Sequence, residues 1–372
     1  MVRAPILASL LSSVLLSQAF AADNEIVIGM LPPLTGAHIQ DAQAQQKAMA
    51  VALSRINSAG GINGKKLRVV MEDNNSTETG ALDAFKRLVE KEKPAAIFLP
   101  SKTFQVIALN DLILKKGVPV FTGATAAKVT KQGNQWLFRC RPDDTISAWA
   151  MVKYIKEETK HTKIGILHDT DAFGIGGADL VEKYAKELGL TVAKRAGYLS
   201  RERDFLPKFR EIKEAGSQVM IVYGPNSSDV GIIQRQFKDF GSPMMYMGSP
   251  ASQYRGTLKI SQAAADGIYA VSDVVTPGDA MTKYAAEYKK VHNEEVDPAG
   301  LWVFDCMTIL GDALKKSGDA PVKLRESLLA TKNHMGTLGS FTFSPTGDGL
   351  HEVSIVKIEG GEGKVQKVVR EK

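Results

Sequence analysis

The sequence predicts an α/β fold of two Rossmann-like lobes, each with a parallel sheet flanked by helices. Short buried-strand patterns alternate with amphipathic helix patterns, which is the arrangement that parallel sheets require. The alternation stops near residues 138–145, where an apolar strand gives way to Arg, Pro and Asp, and then begins again. The length of 372 residues also exceeds what one hydrophobic core usually serves. We therefore expect two lobes of the same construction.

A secretory signal peptide is predicted for residues 1–21. Arg3 precedes an apolar stretch that runs to Leu16, and Ala19-Phe20-Ala21 has the small residues of a cleavage site. A membrane-spanning helix would need a longer apolar run with fewer serines. We expect cleavage near Ala21/Ala22 and export of the protein to the periplasm.

Four strands and three helices alternate in the first part of the exported chain. Gly60-Gly61 ends the first helix, as glycine commonly does. The strands are predicted at "EIVIGMLPPL", "KLRVVMEDN", "PAAIFLP" and "VPVFTGAT". The helices are predicted at "DAQAQQKAMAVALSRINSAGG", "ETGALDAFKRLVEKEK" and "FQVIALNDLILKKG".

The alternation continues from "ISAWAMVKYIKEETK" to "PMMYMGS", with strands at "KIGILHD", "LTVAKRAGY" and "SQVMIVYG". Two helical patterns without an intervening strand follow, and the end of the chain has an antiparallel, glycine-rich character. We interpret "GIYAVSDVVT" as a return to the first lobe and "FTFSPTGDG" as a turn into a last crossing. Lobe 1 is predicted at residues 22–141 plus 273–344, and lobe 2 at residues 142–272 plus 345–372. Such lobes form a cleft that can close on a ligand.

Composition argues against a nucleic-acid partner. The net charge is +6, or +5 without Arg3, and the basic residues are dispersed along the chain, whereas nucleic acid would require a concentrated basic stripe. The two cysteines, Cys140 and Cys306, are too few for a disulfide scaffold or a zinc cage. They either pair in an oxidising compartment or remain buried thiols.

Catalytic motifs are missing from the sequence. The first strand-to-helix turn, "GMLPPLTGA", lacks the glycine spacing of a dinucleotide site, and "FGIGGAD" lacks the lysine of a phosphate loop. The six histidines include no pair at metal-ligand spacing, and no serine lies in a nucleophile elbow. We therefore predict a binding protein that is not an enzyme and that has no cofactor and no metal.

Hydroxyl-bearing and small residues follow the fourth predicted strand, where an open α/β sheet binds its ligands. Thr122-Gly123-Ala124-Thr125 presents hydroxyl and backbone N–H groups, which can bind an anion without a formal positive charge. The alternative is that Thr122 and Thr125 serve only as helix N-caps.

Several segments resemble the periplasmic leucine/isoleucine/valine-binding protein family, the solute receptors of branched-chain-type ABC importers. The similarity extends from about Ile26 to about Ile355, and its most specific part is "INSAGGINGKKL". The resemblance implies a type I periplasmic binding protein fold with three crossings between the lobes, and a membrane permease as partner. The other segments are "IVIGMLPPLTGA", "GVPVFTGATAAKVT", "ILHDTDAFGIGGAD", "RDFLPKFREIKEAGSQVMIVYG" and "FTFSPTGDG".

The resemblance also implies the residues that contact the ligand. In that family the first lobe receives a carboxylate, and the second lobe supplies an aromatic residue and a further polar or aromatic one. The aromatic residue here, Phe173, could stack on the ligand or simply fill the start of its helix. A small shift in the alignment with the family would make Thr103 the contact in place of Ser101. The implied ligand contacts are Ser101, Gly123, Ala124, Thr125, Phe173 and Asn226.

The sequence departs from the family where amino-acid-binding members carry an acidic residue for the ligand's ammonium. Residues 248–251 are Gly-Ser-Pro-Ala, and an ammonium buried without a partner is costly. An α-amino acid would therefore need Asp144, Asp229 or Asp41. Arg141 could contact an anion or could be a solvated hinge arginine. Further candidate contacts are Thr103, His38, Arg141 and Ser249.

These observations predict a receptor that closes on a small aromatic or aliphatic carboxylate and delivers it to an ABC permease. A branched-chain amino acid is the alternative ligand. A module that senses an amide, a urea-type compound or a carboxylate is an alternative from another functional class, since the same fold also serves in sensory receptors. We expect a monomer that does not insert into the membrane.

Overall fold

The first of two separate sheets is built from the N-terminal part of the chain. In the computed structural model, which describes residues 24–99, 102–275 and 278–371, its strands are β1 (Glu25–Met30), β2 (Lys66–Met71), β3 (Ala96–Leu99), β4 (Val120–Thr122) and β5 (Leu137–Arg139). All pairings are parallel, in the order β2-β1-β3-β4-β5. The predicted signal peptide lies outside the described residues.

Helices cover both faces of this sheet, and its strands β3 and β4 are buried on both sides. Phe98 of β3 stacks on Phe121 of β4 with ring centroids 5.0 Å apart, and it also stacks on Trp302 at 6.1 Å. The helices that connect the strands are α1 (Ile39–Ser58), α2 (Glu78–Glu92), α3 (Thr103–Lys116) and the short α4 (Lys128–Lys131).

The second sheet begins after the chain leaves β5. Its parallel strands are β6 (Lys163–Asp169), β7 (Thr191–Tyr198), β8 (Val219–Tyr223), β9 (Met245–Gly248) and β10 (Tyr269–Ser272). Its helices are α5 (Asp144–Glu158), α6 (Ala172–Glu187), α7 (Leu206–Glu214), α8 (Ser227–Phe240) and α9 (Arg255–Ser261).

The last hundred residues return to the first lobe and then complete the second sheet. Trp302 and Tyr284 fill the core beside the first sheet. The elements are α10 (Asp279–His292), α11 (Leu301–Ser317), α12 (Pro321–Leu329), β11 (His334–Met335), β12 (Ser340–Phe341), β13 (Glu352–Glu359) and β14 (Glu362–Arg370). The second sheet has the order β14-β13-β10-β9-β8-β6-β7, with β13 antiparallel to both of its neighbours.

The chain thus passes between the two sheets three times: after β5, after β10 and before β13. The predicted α/β fold with two helix-flanked lobes is confirmed. The residue limits assigned to each lobe stay a prediction. Among the described residues, no helix combines the length and the apolar character needed to cross a membrane.

A disulfide bond joins Cys140, directly after β5, to Cys306 of α11. The two Cα atoms are 6.2 Å apart, and both residues are fully buried. Of the two alternatives that the sequence leaves open, pairing is therefore the one found. The bond ties the first crossing to a helix that is 166 residues away in sequence.

Two elements differ from the sequence-based expectation. Helix α12 has no counterpart among the predicted helices. Its apolar pattern is short and begins at Pro321, and the glycine-rich end of the chain follows it. The segment "GIYAVSDVVT", interpreted as a return to the first lobe, first forms β10 of the second sheet and leaves that sheet after Ser272, where the pairing with β13 ends.

Candidate ligand-binding site

A cavity lies between the two lobes, beside the carboxyl ends of β4, β6, β8 and β9. This is the location where open α/β sheets bind ligands. First-lobe residues form a polar wall, whereas second-lobe residues form a mostly apolar wall. The lining residues are Asp41, Gln45, Lys102, Thr125, Arg141, Phe173, Gly224, Pro225, Pro250, Ala251, Tyr254 and Ala299.

Thr125 brings a hydroxyl to the cavity from the loop after β4. Two hydrogen bonds hold the loop: Ala124 N donates to the Thr122 hydroxyl at 3.1 Å, and Asp144 N donates to Thr125 O at 2.8 Å. Gly123 and Ala124 support this conformation but are not part of the lining. Of the predicted small-residue loop, only Thr125 reaches the ligand space.

Arg141 lies in the first crossing and is buried, with 7% of its surface exposed. Its Nε donates to Asp273 Oδ2 at 2.5 Å and its guanidinium donates to Gly123 O at 3.1 Å. Although burial opposes it, the Asp273 carboxylate raises the pKa of Arg141 above the ordinary value. The alternative of a solvated hinge arginine is wrong, since this side chain joins the first crossing to the second.

Lys102 extends from the start of α3 into the cavity, with only 5% of its surface exposed. Its ammonium donates to Asp41 Oδ2 at 3.0 Å and to Pro225 O, in the second lobe, at 2.8 Å. The other oxygen of Asp41 accepts a hydrogen bond from the Ser227 hydroxyl at 2.8 Å. A buried ion pair of the first lobe is therefore bonded across the cleft at both ends.

Phe173 and Tyr254 provide the aromatic surface of the second lobe. Asp171 begins α6 by accepting a hydrogen bond from Gly174 N at 2.7 Å, which places Phe173 in the first turn against Tyr223, with ring centroids 5.2 Å apart. A Cβ at Gly174 would lie 2.1 Å from Asp169 O. Close packing therefore accounts for this glycine of "FGIGGAD".

Three other predicted contacts, Asn226, Ser249 and Thr103, are not part of the cavity lining. Asn226 is the N-cap of α8, where its side chain accepts from Asp229 N at 2.9 Å. Ser249 is fully buried and donates to Gly224 O at 2.9 Å. Thr103 is the first residue of α3, and its hydroxyl is buried without a partner among the described residues. Ser101 lies outside the described residues.

His38 is buried at the start of α1. Burial, together with the charges of Lys102 and Arg201, lowers the pKa of His38 to about 2. The imidazole is therefore neutral at physiological pH and does not neutralise an anionic ligand.

The three carboxylates proposed as ammonium partners are not equivalent. Asp229 accepts hydrogen bonds from Arg201 N at 2.9 Å and Asn226 Nδ2 at 3.0 Å, outside the lining. Asp144 is also outside the lining, and burial raises its pKa to about 7. Asp41 alone lines the cavity, where it is paired with Lys102.

The structure brings together Thr125, Arg141 and Phe173 of the predicted contacts. Sequence reasoning missed Lys102 and Tyr254, both of which line the cavity. Lys102 stands next to the predicted Ser101, so a lysine directly after a strand end was the available signal. Tyr254 follows a short 3-10 helix at Pro250–Gln253 and carries no such signal.

Two α/β lobes that are joined by three crossings and that enclose a cavity at their strand ends define a bilobed solute-binding receptor. A family model described as "Periplasmic binding protein" matches residues 25–363. The chain belongs to this family, and its resemblance to the Leu/Ile/Val-binding receptors of ABC transporters is confirmed by curated relatives.

The chain is similar to the leucine-, isoleucine-, valine-, threonine- and alanine-binding protein of Pseudomonas aeruginosa, with 28% identity over 89% of both chains. It is also similar to Leu/Ile/Val-binding protein homolog 3 of Brucella melitensis, with 24% identity over 93% of this chain and 94% of that one.

Two solved structures share the fold. The substrate-binding protein LivJ of Streptococcus pneumoniae, in complex with isoleucine, superposes with a TM-score of 0.85 at 22% identity and covers 93% of this chain and 99% of its own. A solute-binding protein of R. palustris in complex with benzoate superposes with a TM-score of 0.85 at 15% identity, over 93% and 97%. Similar folds therefore bind an amino acid in one protein and an amine-free acid in another.

Proposed function

We propose that the protein is the solute receptor of an ABC importer and that its lobes close on a small carboxylate with an apolar body and no α-ammonium. The closed receptor presents this acid to a membrane permease. The single observation that carries the proposal is the buried ammonium of Lys102 in the cavity lining. Residues 248–251, where an acid would receive a ligand ammonium, carry no carboxylate.

The polar wall suits a carboxylate. A lysine ammonium has three donors, and two of those of Lys102 are used by Asp41 and Pro225. The third can bind a ligand oxygen, and the Thr125 hydroxyl is a second donor. The side chain of the N-cap residue, Lys102, makes no capping hydrogen bond to α3, and the N–H groups of a helix start attract anions.

The apolar wall suits the rest of the ligand. Phe173, Pro225, Pro250, Ala251 and Tyr254 come from the second lobe and offer hydrocarbon and aromatic surface. Closure of the lobes removes this surface from water together with the ligand's apolar body, which favours binding. A ring or a branched alkyl chain fits such a wall better than a second polar group.

A branched-chain amino acid is the second candidate ligand. The names of the relatives from Pseudomonas aeruginosa and Brucella melitensis favour it, and Asp41 is a carboxylate in the lining. However, Asp41 already has Lys102 and Ser227 as partners. An amino acid would have to displace a buried lysine in order to use it.

Matched ligand pairs test the proposal. Thermal unfolding is measured with 4-methylpentanoate against leucine and with 3-phenylpropanoate against phenylalanine, and benzoate is added as a smaller acid. A ligand at a hundred times its Kd stabilises the folded state by about 2.7 kcal/mol. We expect a shift from an amine-free acid and none from its amino-acid partner. A shift from leucine would favour the second candidate, and silence from both members would direct the search to amides.

A further inference from the structure

We propose that Lys102 determines the specificity of the site by acting as a built-in ammonium that excludes ligands carrying their own. This inference rests on the proposed function and assigns its selectivity to one side chain. It also predicts a latent amino-acid site, because Asp41 would become available to a ligand ammonium once Lys102 is shortened.

The geometry gives Asp41 a complete set of partners within the protein. Lys102 Nζ lies 3.0 Å from Oδ2, and the Ser227 hydroxyl lies 2.8 Å from Oδ1. Both charged side chains are buried, with 5% and 8% of their side-chain surfaces exposed. The charge of Asp41 is therefore neutralised before any ligand arrives.

The remaining charges of the lining do not offer an alternative partner. Arg141 is paired with Asp273 at 2.5 Å, so this second pair is neutral as well. Asp171 is not part of the lining and caps α6. A ligand ammonium would thus meet the like charge of Lys102 in a space from which water is largely removed, where repulsion is strong.

Shortening Lys102 reverses this situation. Lys102→Ala removes the positive charge and leaves a space beside Asp41, and a buried carboxylate without a counterion binds an incoming ammonium strongly. The same change removes a donor from the carboxylate of the ligand. We therefore expect the preference between an acid and its α-amino counterpart to invert.

The test measures Kd by calorimetry for whichever matched pair contains an acid that binds the wild type: 4-methylpentanoate with leucine, or 3-phenylpropanoate with phenylalanine. Lys102→Ala is expected to bind the amino acid about tenfold or more tightly than the wild type does, the size expected of one charge-assisted hydrogen bond. The double variant Asp41→Asn/Lys102→Ala, which has the same space but no carboxylate, is the control and should lose this gain.

The outcomes separate the two proposals. If the wild type binds the acid but Lys102→Ala gains no affinity for the amino acid, this inference is overturned and the proposed function stands. A gain that persists in the double variant also overturns it, because Asp41 is then not the partner. If the wild type itself binds the amino acid, the proposed function fails, and that result needs no variant.

Cooperative urea unfolding of each variant confirms that it folds. Lys102→Ser is a second truncation should the alanine variant be unstable. Asp41→Asn alone retains Lys102 and provides an independent arm: it should still reject the amino acid and bind the acid at least as tightly as the wild type. Binding of the amino acid by Asp41→Asn would show that Lys102 does not exclude an ammonium.

Discussion

The Ser227 hydroxyl donates a hydrogen bond to Asp41 Oδ1 across the cleft, over 2.8 Å. Ser227 is the first residue of α8 in the second lobe, and Asp41 belongs to α1 in the first. Ser227→Ala leaves this carboxylate oxygen with one donor fewer, which costs about 1–3 kcal/mol when the oxygen is buried. We expect a smaller closed population and a larger radius of gyration in solution scattering. Ser228→Ala is the control, because that hydroxyl lies 3.5 Å from Arg203 of its own lobe; equal radii for both variants would contradict the prediction.

The Arg141–Asp273 pair joins two of the three crossings. Asp273→Asn leaves a buried guanidinium without its counterion, and breaking such a pair lowers the free energy of unfolding by about 3–5 kcal/mol. Urea unfolding measures this loss. The exposed Asp239 provides the control, since Asp239→Asn removes the same charge from the surface. Similar unfolding midpoints for the two variants would rule out a structural role for the pair.

The disulfide between Cys140 and Cys306 should stabilise the first lobe. A cross-link over a separation of 166 residues restricts the unfolded chain, and removal of such bonds typically costs about 2–5 kcal/mol. We expect dithiothreitol to lower the urea midpoint of the wild type. The double variant Cys140→Ala/Cys306→Ala should be less stable and insensitive to the reductant. A wild-type midpoint that does not respond to reduction would argue against the bond.

Asp144 makes stability depend on pH. Burial raises its pKa from the ordinary 3.8 to about 7, so between these values the folded protein keeps a proton that the unfolded chain has lost. The contribution of this group to the free energy of unfolding therefore falls as pH rises through that window and is constant above it. We expect Asp144→Asn to gain stability relative to the wild type from pH 3.8 to about 7. The exposed Asp83→Asn, which removes a carboxylate of the same type from the surface, is the control. A difference between Asp144→Asn and the wild type that does not vary with pH would contradict the prediction.

Thr125 should contribute directly to ligand affinity. Thr125→Val keeps the shape of the side chain and removes the hydroxyl that lines the cavity. Loss of one donor to a carboxylate weakens binding by about 1–3 kcal/mol. Calorimetry with the acid that stabilises the wild type measures the change. Unchanged affinity in Thr125→Val would remove Thr125 from the site.

Most of the fold could be predicted because its elements are local in sequence. Strands such as β6 are short, continuously buried runs, helices such as α1 are longer amphipathic segments, and their alternation indicates a parallel sheet. Helix α12 escaped prediction because its apolar pattern is short. The disulfide could not be assigned, since no local pattern reports the distance between residues 166 positions apart.

The site was less predictable because its residues come from segments that are distant in sequence. Thr125 and Phe173 follow strand ends, so topology alone places them at the cleft. The position of Lys102 depends on Asp41, 61 residues away, and on Pro225, 123 residues away. Only the closed tertiary structure shows that this lysine is buried between the lobes.

The order in which the chain is made has a consequence for folding. The core of the first lobe needs α11, and the second sheet needs the hairpin of β13 and β14, which ends at Arg370. Neither lobe can complete its core until the chain has been synthesised as far as β14. Contacts between such distant segments make folding slow, so the newly made chain spends longer without its packed cores.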